Sequence, residues 1–235
     1  LPAKLIKALR LQWLLPRFAR ESLELVPDFK PSPALPEQSA ATTESCMGKV
    51  GFIEGCVMQV MFGETNHATV KLLNNAGWSV CNPGDQGCCG ALYAHSGQLE
   101  LARECARRNI AAFEPLKLEA IIINAAGCGS TLKEYGELLA EDEEWAERAT
   151  AFSAKVKDLT EWLEEKEFAP NDSGEKVTYH DACHLAHPQG ITAEPRALVR
   201  AVAGDRFVEL PEAEICCGSA GSYNLTEPEM AARLQ

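Results

Sequence analysis

The sequence contains two pairs of adjacent cysteines, each followed by glycine, and thiols in this arrangement suit metal binding or redox chemistry. The first pair is Cys88-Cys89 in the stretch QGCCGA, and the second is Cys216-Cys217 in the stretch EICCGS. A single cysteine precedes each pair, Cys56 by 32 positions and Cys183 by 33. The copies are therefore offset by 127 residues for the single cysteines and 128 for the pairs, which indicates an internal duplication.

The cysteines of the first copy are predicted to lie at one edge of a parallel β-sheet. From residue 48 onward, short apolar runs alternate with helical patterns, which predicts strands at 50–53, 78–81 and 120–124 and helices at 64–76 and 97–114. Such alternation produces a parallel sheet with right-handed crossovers, whose strand carboxyl ends share one edge. Cys56, the pair Cys88-Cys89 and Cys128 each follow a strand, so we expect four thiols to converge there.

Four thiolates without an obligatory histidine fit more than one kind of site. Zinc is usually held by two short C-x-x-C pairs, whereas these cysteines come singly, as an adjacent pair, and singly again. Adjacent cysteines reach different irons of a cluster more easily than one small ion, and glycines Gly90 and Gly218 let backbone N–H groups approach the sulfurs. From the residues alone, an iron–sulfur cluster, a structural zinc ion and a catalytic dithiol at Cys88-Cys89 all stay open.

Composition and charge narrow the class of protein. The 235 residues carry a net charge of −12, although the first twenty contain five basic residues and no acidic ones. The rest of the chain is therefore strongly acidic, which argues against a nucleic-acid-binding surface. Ten cysteines in a chain long enough to bury its own core favour metal or redox use in a reducing compartment over a disulfide scaffold. No apolar run approaches the roughly 20 residues of a membrane span. Because the sequence starts at Leu1 without a methionine, we expect a piece of a longer protein.

The segments outside the first copy have their own patterns. Residues 1–26 predict a helix whose apolar stripe packs on its own domain or whose basic face lies on a membrane surface or an acidic partner. Residues 27–47 are rich in proline and resemble a linker. Apolar residues at spacings of three and four predict one long amphipathic helix over 142–166.

The second copy repeats the plan of the first. We expect strands at 176–179 and 206–210, a helix near 195–203 and a final helix from Pro228. The predicted fold is α/β, with two repeated Rossmann-like units of short parallel sheets flanked by helices, the second unit truncated. The predicted domains are an N-terminal helix and linker (1–47), the first copy (48–140), a connecting helix and turn (141–175) and the incomplete second copy (176–235).

The duplicated pattern of one cysteine, a CCG pair and a further cysteine resembles the cysteine-rich CCG domains of three kinds of protein. These are the B chain of heterodisulfide reductase, lactate-utilisation protein A and the C chain of anaerobic glycerol-3-phosphate dehydrogenase. Finer stretches are most similar to the iron–sulfur subunits of glycolate oxidases (glycolate dehydrogenases): EGC at 54–56, GCCGA at 87–91, GCG at 127–129, KEYG at 133–136 and CCGSAG at 216–221. The resemblance extends over nearly the whole chain.

The resemblance implies roles for seven cysteines. The ligands of a first iron–sulfur cluster would be Cys56, Cys88, Cys89 and Cys128, and those of a second would be Cys183, Cys216 and Cys217. The last cysteine of the second set would fall near position 256, beyond Gln235. The fuller family motif ends in C-x-x-C, whereas Thr131 stands in its last place here, so the resemblance implies a four-cysteine [4Fe–4S] cluster at the first site, with zinc as the alternative.

The resemblance also implies a place in a larger complex. A flavin-containing dehydrogenase subunit would oxidise glycolate or another 2-hydroxy acid, and this chain would pass the electrons toward a membrane or quinone acceptor. No Gly-x-Gly-x-x-Gly stretch is found, so we do not expect the chain to oxidise glycolate alone. The implied location is the cytoplasm or the inner face of the membrane, as a peripheral subunit. The rivals are a structural zinc protein and a thiol–disulfide redox protein.

Some other residues resemble site residues by type. We expect hydrogen bonding around the metal ligands, rather than metal ligation itself, from the histidines around Cys183, which are His180, His184 and His187. His95, six residues past Cys89, could lie beside the cluster or serve the core. Three cysteines outside the repeat are expected to be buried free thiols: Cys46, Cys81 and Cys105.

Overall fold

A five-stranded sheet lies at the centre of the computed structural model. Its strands are β1 (Gln38–Ser39), β2 (Gly48–Phe52), β3 (Trp78–Cys81), β4 (Ala120–Ile123) and β5 (Val156–Asp158). The spatial order is β1-β3-β2-β4-β5. Only the short edge strand β1 runs antiparallel; the other neighbours are parallel. The mixed α/β class with a mostly parallel sheet is therefore confirmed.

The structure describes residues 5, 6, 9, 11–16, 19, 20, 23, 32–171, 174–218 and 223–234. The chain divides into two compact units, one of Pro31–Ile215 and a smaller one of Leu1–Lys30 with Cys216–Gln235. Within the described residues, no helix combines the length and apolar character needed to cross a membrane.

Helices connect the strands of the larger unit and continue after its last strand, β5. They are α1 (Cys56–Met61), α2 (Gly63–Asn75), α3 (Ala91–His95), α4 (Leu99–Phe113), α5 (Ala126–Lys133), α6 (Tyr135–Leu138), α7 (Ala146–Ser153), α8 (Leu159–Glu165), α9 (Cys183–Ala186) and α10 (Ala193–Ala203). The smaller unit contains α11 (Tyr223–Thr226) and α12 (Pro228–Leu234). The predicted strands and helices of the first copy are confirmed within two residues. Helix α2 ends before Gly77, whose φ of +92° is typical of a glycine that ends a helix.

The core lies on both faces of the sheet because successive side chains of a buried strand point to opposite faces. On β4, Ile121 and Ile123 pack with Phe113 and Tyr135 on one face. Ile122 packs with residues such as Trp78 on the other. The sheet is thus covered on both sides, and its strand ends are held in place for the loops that carry the cysteines.

The prediction of one long helix over 142–166 is wrong. The segment forms α7, then strand β5, then α8. Val156 and Asp158 are buried and β5 pairs with β4. Val156 therefore contacts the core from an extended strand, whereas Phe152 and Leu163 contact it from the helices on either side. The spacing of three and four could not separate these cases. Asp158 caps α8 and Glu161 bonds back to the Asp158 amide, a capping box that starts a new helix.

The predicted strands of the second copy, 176–179 and 206–210, are reduced to one parallel bridge between Val177 and Phe207. Val208 donates its N–H to the Val177 carbonyl at 2.8 Å. In the first copy, Val50 of β2 pairs in parallel with Val80 of β3. Both bridge residues are offset by 127 from that pair, so the bridge reproduces one register position of the first copy.

Most of the predicted N-terminal helix over 1–26 lies outside the described residues. Inside them, Gln12–Leu14 forms a 3-10 turn. The predicted linker over 27–47 is described from Ser32 onward, where it contains the edge strand β1.

Candidate metal centre

Cys56 begins α1 after a short turn that follows the end of β2 at Phe52. The turn between them depends on Gly55, which has a φ of +69° and precedes the first helical residue. The Cys56 side chain is exposed. This turn brings a thiol from the carboxyl end of β2 to the sheet edge.

The pair Cys88-Cys89 lies between β3 and α3, at the carboxyl end of the neighbouring strand. Gly90 has a φ of +85°, and its N–H donates to Cys88 Sγ over 3.4 Å. A Cβ at Gly90 would lie 3.2 Å from backbone atoms of Ala102. The CCG turn therefore needs glycine both for its conformation and for its packing against α4.

Cys128 lies in the first turn of α5, after the strand end of β4. Its thiol contacts that of Cys89, which contacts Cys88. The Sγ atoms of Cys56 and Cys88 are 3.5 Å apart. The structure thus brings Cys56, Cys88, Cys89 and Cys128 together in one continuous chain of sulfur contacts, as the strand pattern predicted.

These four thiols change one another's pKa values. The hydrogen bond with Cys89, followed by burial, raises the pKa of Cys88, and the bond with Cys128 raises the pKa of Cys89 to about 12. Burial, together with the hydrogen bond to Cys88, raises the pKa of Cys56. The hydrogen bond with Cys89 lowers the pKa of Cys128. A positive centre among the sulfurs would favour their deprotonated forms, and metal ions supply such a charge.

The donor set fits an iron–sulfur cluster in its chemistry. It consists of sulfur atoms on three loops, with a backbone N–H directed at Cys88 Sγ, as N–H···S bonds are in cluster sites. Within the described residues, no group of three or more Cys, His, Asp and Glu side chains is already arranged around the position of a single metal ion.

Side-chain amides tie the Cys56 loop to the CCG loop. Gln86 accepts the Glu54 N–H at 3.0 Å and donates to the Phe52 carbonyl at 3.1 Å. It also donates to Asn82 Oδ1 at 2.7 Å, and the Asn82 amide in turn donates to the Glu54 carboxylate. Sequence reasoning missed these residues, although Gln86 and Glu54 stand inside the quoted motif stretches.

The second predicted set is divided between the two units, and each part is described separately. In the larger unit, Cys183 begins α9, and its Sγ lies 3.5 Å from His184 Nδ1. His180 Nε2 lies 3.0 Å from the Ile215 carbonyl. Arg196 holds Asp181 through two bonds of 2.6 and 2.7 Å, which fixes the loop before Cys183.

Helix α9 packs against α5, so Cys183 and Cys128 lie on neighbouring helices. Gln189 Nε2 donates to the Ala126 carbonyl at 2.9 Å and to the His184 carbonyl at 3.0 Å. The ring centroids of His95 and His184 are 6.1 Å apart. The histidine of the first copy therefore lies beside the Cys183 segment.

In the smaller unit, Cys216 and Cys217 repeat the local geometry of the first pair. The Gly218 N–H lies 3.4 Å from Cys216 Sγ, the same distance as in the first copy. Gly218 has a φ of +70°, and a Cβ there would lie 2.7 Å from the Ala231 carbonyl oxygen. The rest of the stretch, residues 219–221, lies outside the described residues.

The cysteines outside the repeat only partly match the expectation of buried thiols. Cys81 is buried in the core, but Cys105 is half-buried and Cys46 is exposed. Cys46 lies just before β2, where its Sγ donates to the Gly48 carbonyl and lies 3.3 Å from Ser79 Oγ. Cys105 lies against Gly90 of the CCG loop.

Comparison with known proteins agrees with the duplicated pattern. The family model described as a cysteine-rich domain (CCG) matches residues 50–133 and 177–235. The starts of these matches are again 127 residues apart.

Three similar proteins from bacteria illustrate the likeness. The chain is 46% identical to the probable glycolate oxidase iron-sulfur subunit of Bacillus subtilis (strain 168), over 79% of this chain and 43% of that protein. It is 35% identical to the glycolate oxidase iron-sulfur subunit of Escherichia coli (strain K12), over 80% and 47%. Lactate utilization protein A of Oceanobacillus iheyensis is 31% identical, over 79% and 77%. The chain thus spans a little under half the length of the two glycolate oxidase subunits.

Proposed function

The chain belongs to the cysteine-rich (CCG) domain family, and from that premise we propose that it is the iron–sulfur, electron-transferring part of a 2-hydroxy acid dehydrogenase. The observation that carries the proposal is the continuous contact of four thiols from three separate loops, including the 3.5 Å separation of Cys56 and Cys88. Relatives named as iron–sulfur subunits support the same chemistry.

In this proposal Cys56, Cys88, Cys89 and Cys128 hold one [4Fe–4S] cluster. The bound cluster would supply one-electron transfer. The chain's own residues orient the sulfurs: Gly90 gives an N–H to Cys88, and the Gln86 amide links two ligand loops. Cys183, Cys216 and Cys217 contribute ligands to a second cluster.

The proposed substrate and partners come from the relatives. Two of them are named as glycolate oxidase subunits, so we propose glycolate as the 2-hydroxy acid. A flavin-containing subunit would take electrons from it, and this chain would pass them toward a membrane or quinone acceptor. We propose a cytoplasmic location, free or peripheral at the inner face of the membrane, since reducing conditions keep cysteines available as thiolate ligands.

Metal and sulfide analysis of protein purified without oxygen tests the proposal. We expect iron with an equal amount of acid-labile sulfide, and we expect Cys88→Ser to lower both. Cys46→Ser is the matched control, because Cys46 is an exposed cysteine outside the repeat, and it should keep the wild-type content. Zinc without sulfide would identify a structural zinc site, and absence of both iron and zinc would favour the thiol–disulfide alternative.

A further inference from the structure

The backbone of the CCG loop is held by two polar side chains from other elements. Asn109 of α4 accepts the Gly87 N–H at 2.8 Å and donates to the Cys88 carbonyl at 3.0 Å. Tyr135, at the start of α6, donates its hydroxyl to the Cys89 carbonyl at 2.8 Å. Three consecutive residues of the loop are thus fixed at the main chain by side chains 21 to 46 positions away.

These two side chains also bond to each other. The second Asn109 N–H donates to the Tyr135 hydroxyl oxygen at 3.0 Å. Both residues are fully buried, at 0% exposure. Burial of polar groups is costly unless their hydrogen bonds are made, and a satisfied buried network is rigid. The Tyr135 ring stacks on Phe152, with centroids 5.5 Å apart, so the hydroxyl has little freedom to move away.

The hydrogen bonds made by Asn109 and Tyr135 determine which backbone dipoles face the sulfurs. With their oxygens engaged by Asn109 and Tyr135, the Cys88 and Cys89 carbonyls are directed at the side chains of the core. The next backbone donor, the Gly90 N–H, is directed at Cys88 Sγ. N–H donors stabilise the more negative, reduced form of a thiolate-bound centre, whereas carbonyl oxygens near the sulfurs oppose it.

We propose that Asn109 and Tyr135 are positioning residues that set the reduction potential of the centre at Cys56, Cys88, Cys89 and Cys128 by fixing the direction of the CCG backbone. This inference rests on the proposed iron–sulfur function. It also gives a role to Tyr135 in the KEYG stretch, which does not itself contribute a sulfur ligand. The pair acts through the loop and does not bind the centre.

The test compares Tyr135→Phe with wild type in protein purified without oxygen. The variant keeps the ring and removes the donor to the Cys89 carbonyl. We expect the midpoint potential, measured by spectroelectrochemical titration, to become more negative. We also expect about tenfold weaker retention of iron against a chelator, at the lower end of the loss seen when partners behind metal ligands are removed. A change in the electron paramagnetic resonance spectrum of the reduced protein should accompany the shift.

Ser153→Ala is the matched control. Ser153 Oγ donates to the Leu132 carbonyl at 2.9 Å and accepts the Gly136 N–H at 3.3 Å, so the variant loses bonds beside Tyr135 to partners that are not part of the CCG loop. Its potential and iron retention should equal those of wild type. If Tyr135→Phe does not fold, Asn109→Ser tests the same proposal through the Cys88 carbonyl.

The outcomes separate the two proposals. Wild-type protein that holds iron and sulfide, with Tyr135→Phe unchanged in potential and retention, overturns the positioning role and leaves the iron–sulfur function intact. An equal shift in Ser153→Ala overturns it as well, since general packing would then be the cause. Wild-type protein without a cluster overturns both proposals.

Discussion

At the scale of single residues, the glycine of the CCG turn occupies a position that only glycine fits. Gly90 combines a φ of +85° with close contacts, since a Cβ would lie 3.2 Å from the Cα and carbonyl oxygen of Ala102 and from the Cβ of Cys105. Backbone atoms of a packed helix cannot move aside cheaply. Gly218 repeats both features against Ala231, so both copies of the CCG turn require glycine at this position.

We therefore predict that Gly90→Ala destabilises the cluster-free protein by about 2–5 kcal/mol. About 1–2 kcal/mol comes from the left-handed backbone and the remainder from overpacking. Gly97→Ala is the control, because Gly97 has a similar φ of +76° but a Cβ there would meet no described atom within 4 Å. Urea unfolding, monitored by tryptophan fluorescence, measures the free energy of unfolding of both variants. Equal losses in the two variants would contradict the packing argument.

The cysteines could be predicted from sequence better than the side chains that hold them. Strand ends followed by cysteine predict convergence, because the sheet topology alone brings such loops together. The bonds of Asn109 and Tyr135 reach 21 to 46 positions along the chain and depend on how α4 and α6 pack. The available signal was weak: Asn109 is a polar residue on the buried face of α4, along with Ala102, Ala106 and Phe113.

At the scale of elements, strand β5 marks where periodicity alone is insufficient. The three strands β2 to β4 and their helices could be predicted because each apolar run is bounded by glycine, proline or polar residues. Between α7 and β5 there is no glycine or proline, and the two linking residues, Ala154 and Lys155, supply a single polar side chain. The informative signal was local chemistry, since Asp158 and Glu161 have the spacing of a capping box.

Glu161 of α8 links this helix and β5 to α5, and it makes the stability of the larger unit depend on pH. It accepts from Lys133 of α5 and Lys157 of β5, each at 2.8 Å. Burial opposes its ionisation, but the two lysines outweigh this and lower its pKa from 4.5. A lowered carboxyl pKa adds stability above the unfolded value, and that stability is lost as the pH falls through the folded value. Glu161→Gln should cost about 1–2 kcal/mol at pH 7 and much less below about pH 4.

Free energies of unfolding measured by urea titration at several pH values test this expectation. Glutamine can still accept the Asp158 N–H, so the capping box is kept and the variant mainly removes charge. Burial raises the pKa of neighbouring Asp158, but that carboxyl is present in both proteins and its effect largely cancels. Glu164→Gln, on the exposed side of the same helix, should have little effect at any pH. A pH-independent loss in Glu161→Gln would show that the ion pairs contribute nothing.

At the scale of the whole molecule, the candidate centre joins parts of the chain that are far apart in sequence. Its four sulfurs come from loops after β2, β3 and β4, spread from Cys56 to Cys128. A ligand bound by the folded arrangement and not by the unfolded chain stabilises the fold through mass action. Since the loops follow three different strands of one sheet, that stabilisation should extend to the larger unit as a whole.

We predict that removing iron with a chelator, without oxygen, lowers the thermal midpoint of the larger unit. A cluster present at about a hundred times its dissociation constant adds about 3 kcal/mol, or about 6–12 °C for a unit of this size. Hydrogen exchange resolved by mass spectrometry should show faster exchange at all three ligand loops, not only at the loop with the exposed Cys56. Cys128→Ser should reproduce the lower midpoint and respond little to the chelator, whereas Cys46→Ser should behave as wild type. An unchanged midpoint after complete iron removal would mean that the three loops hold their positions without the metal, and the sheet and its buried amides would then stabilise the fold alone.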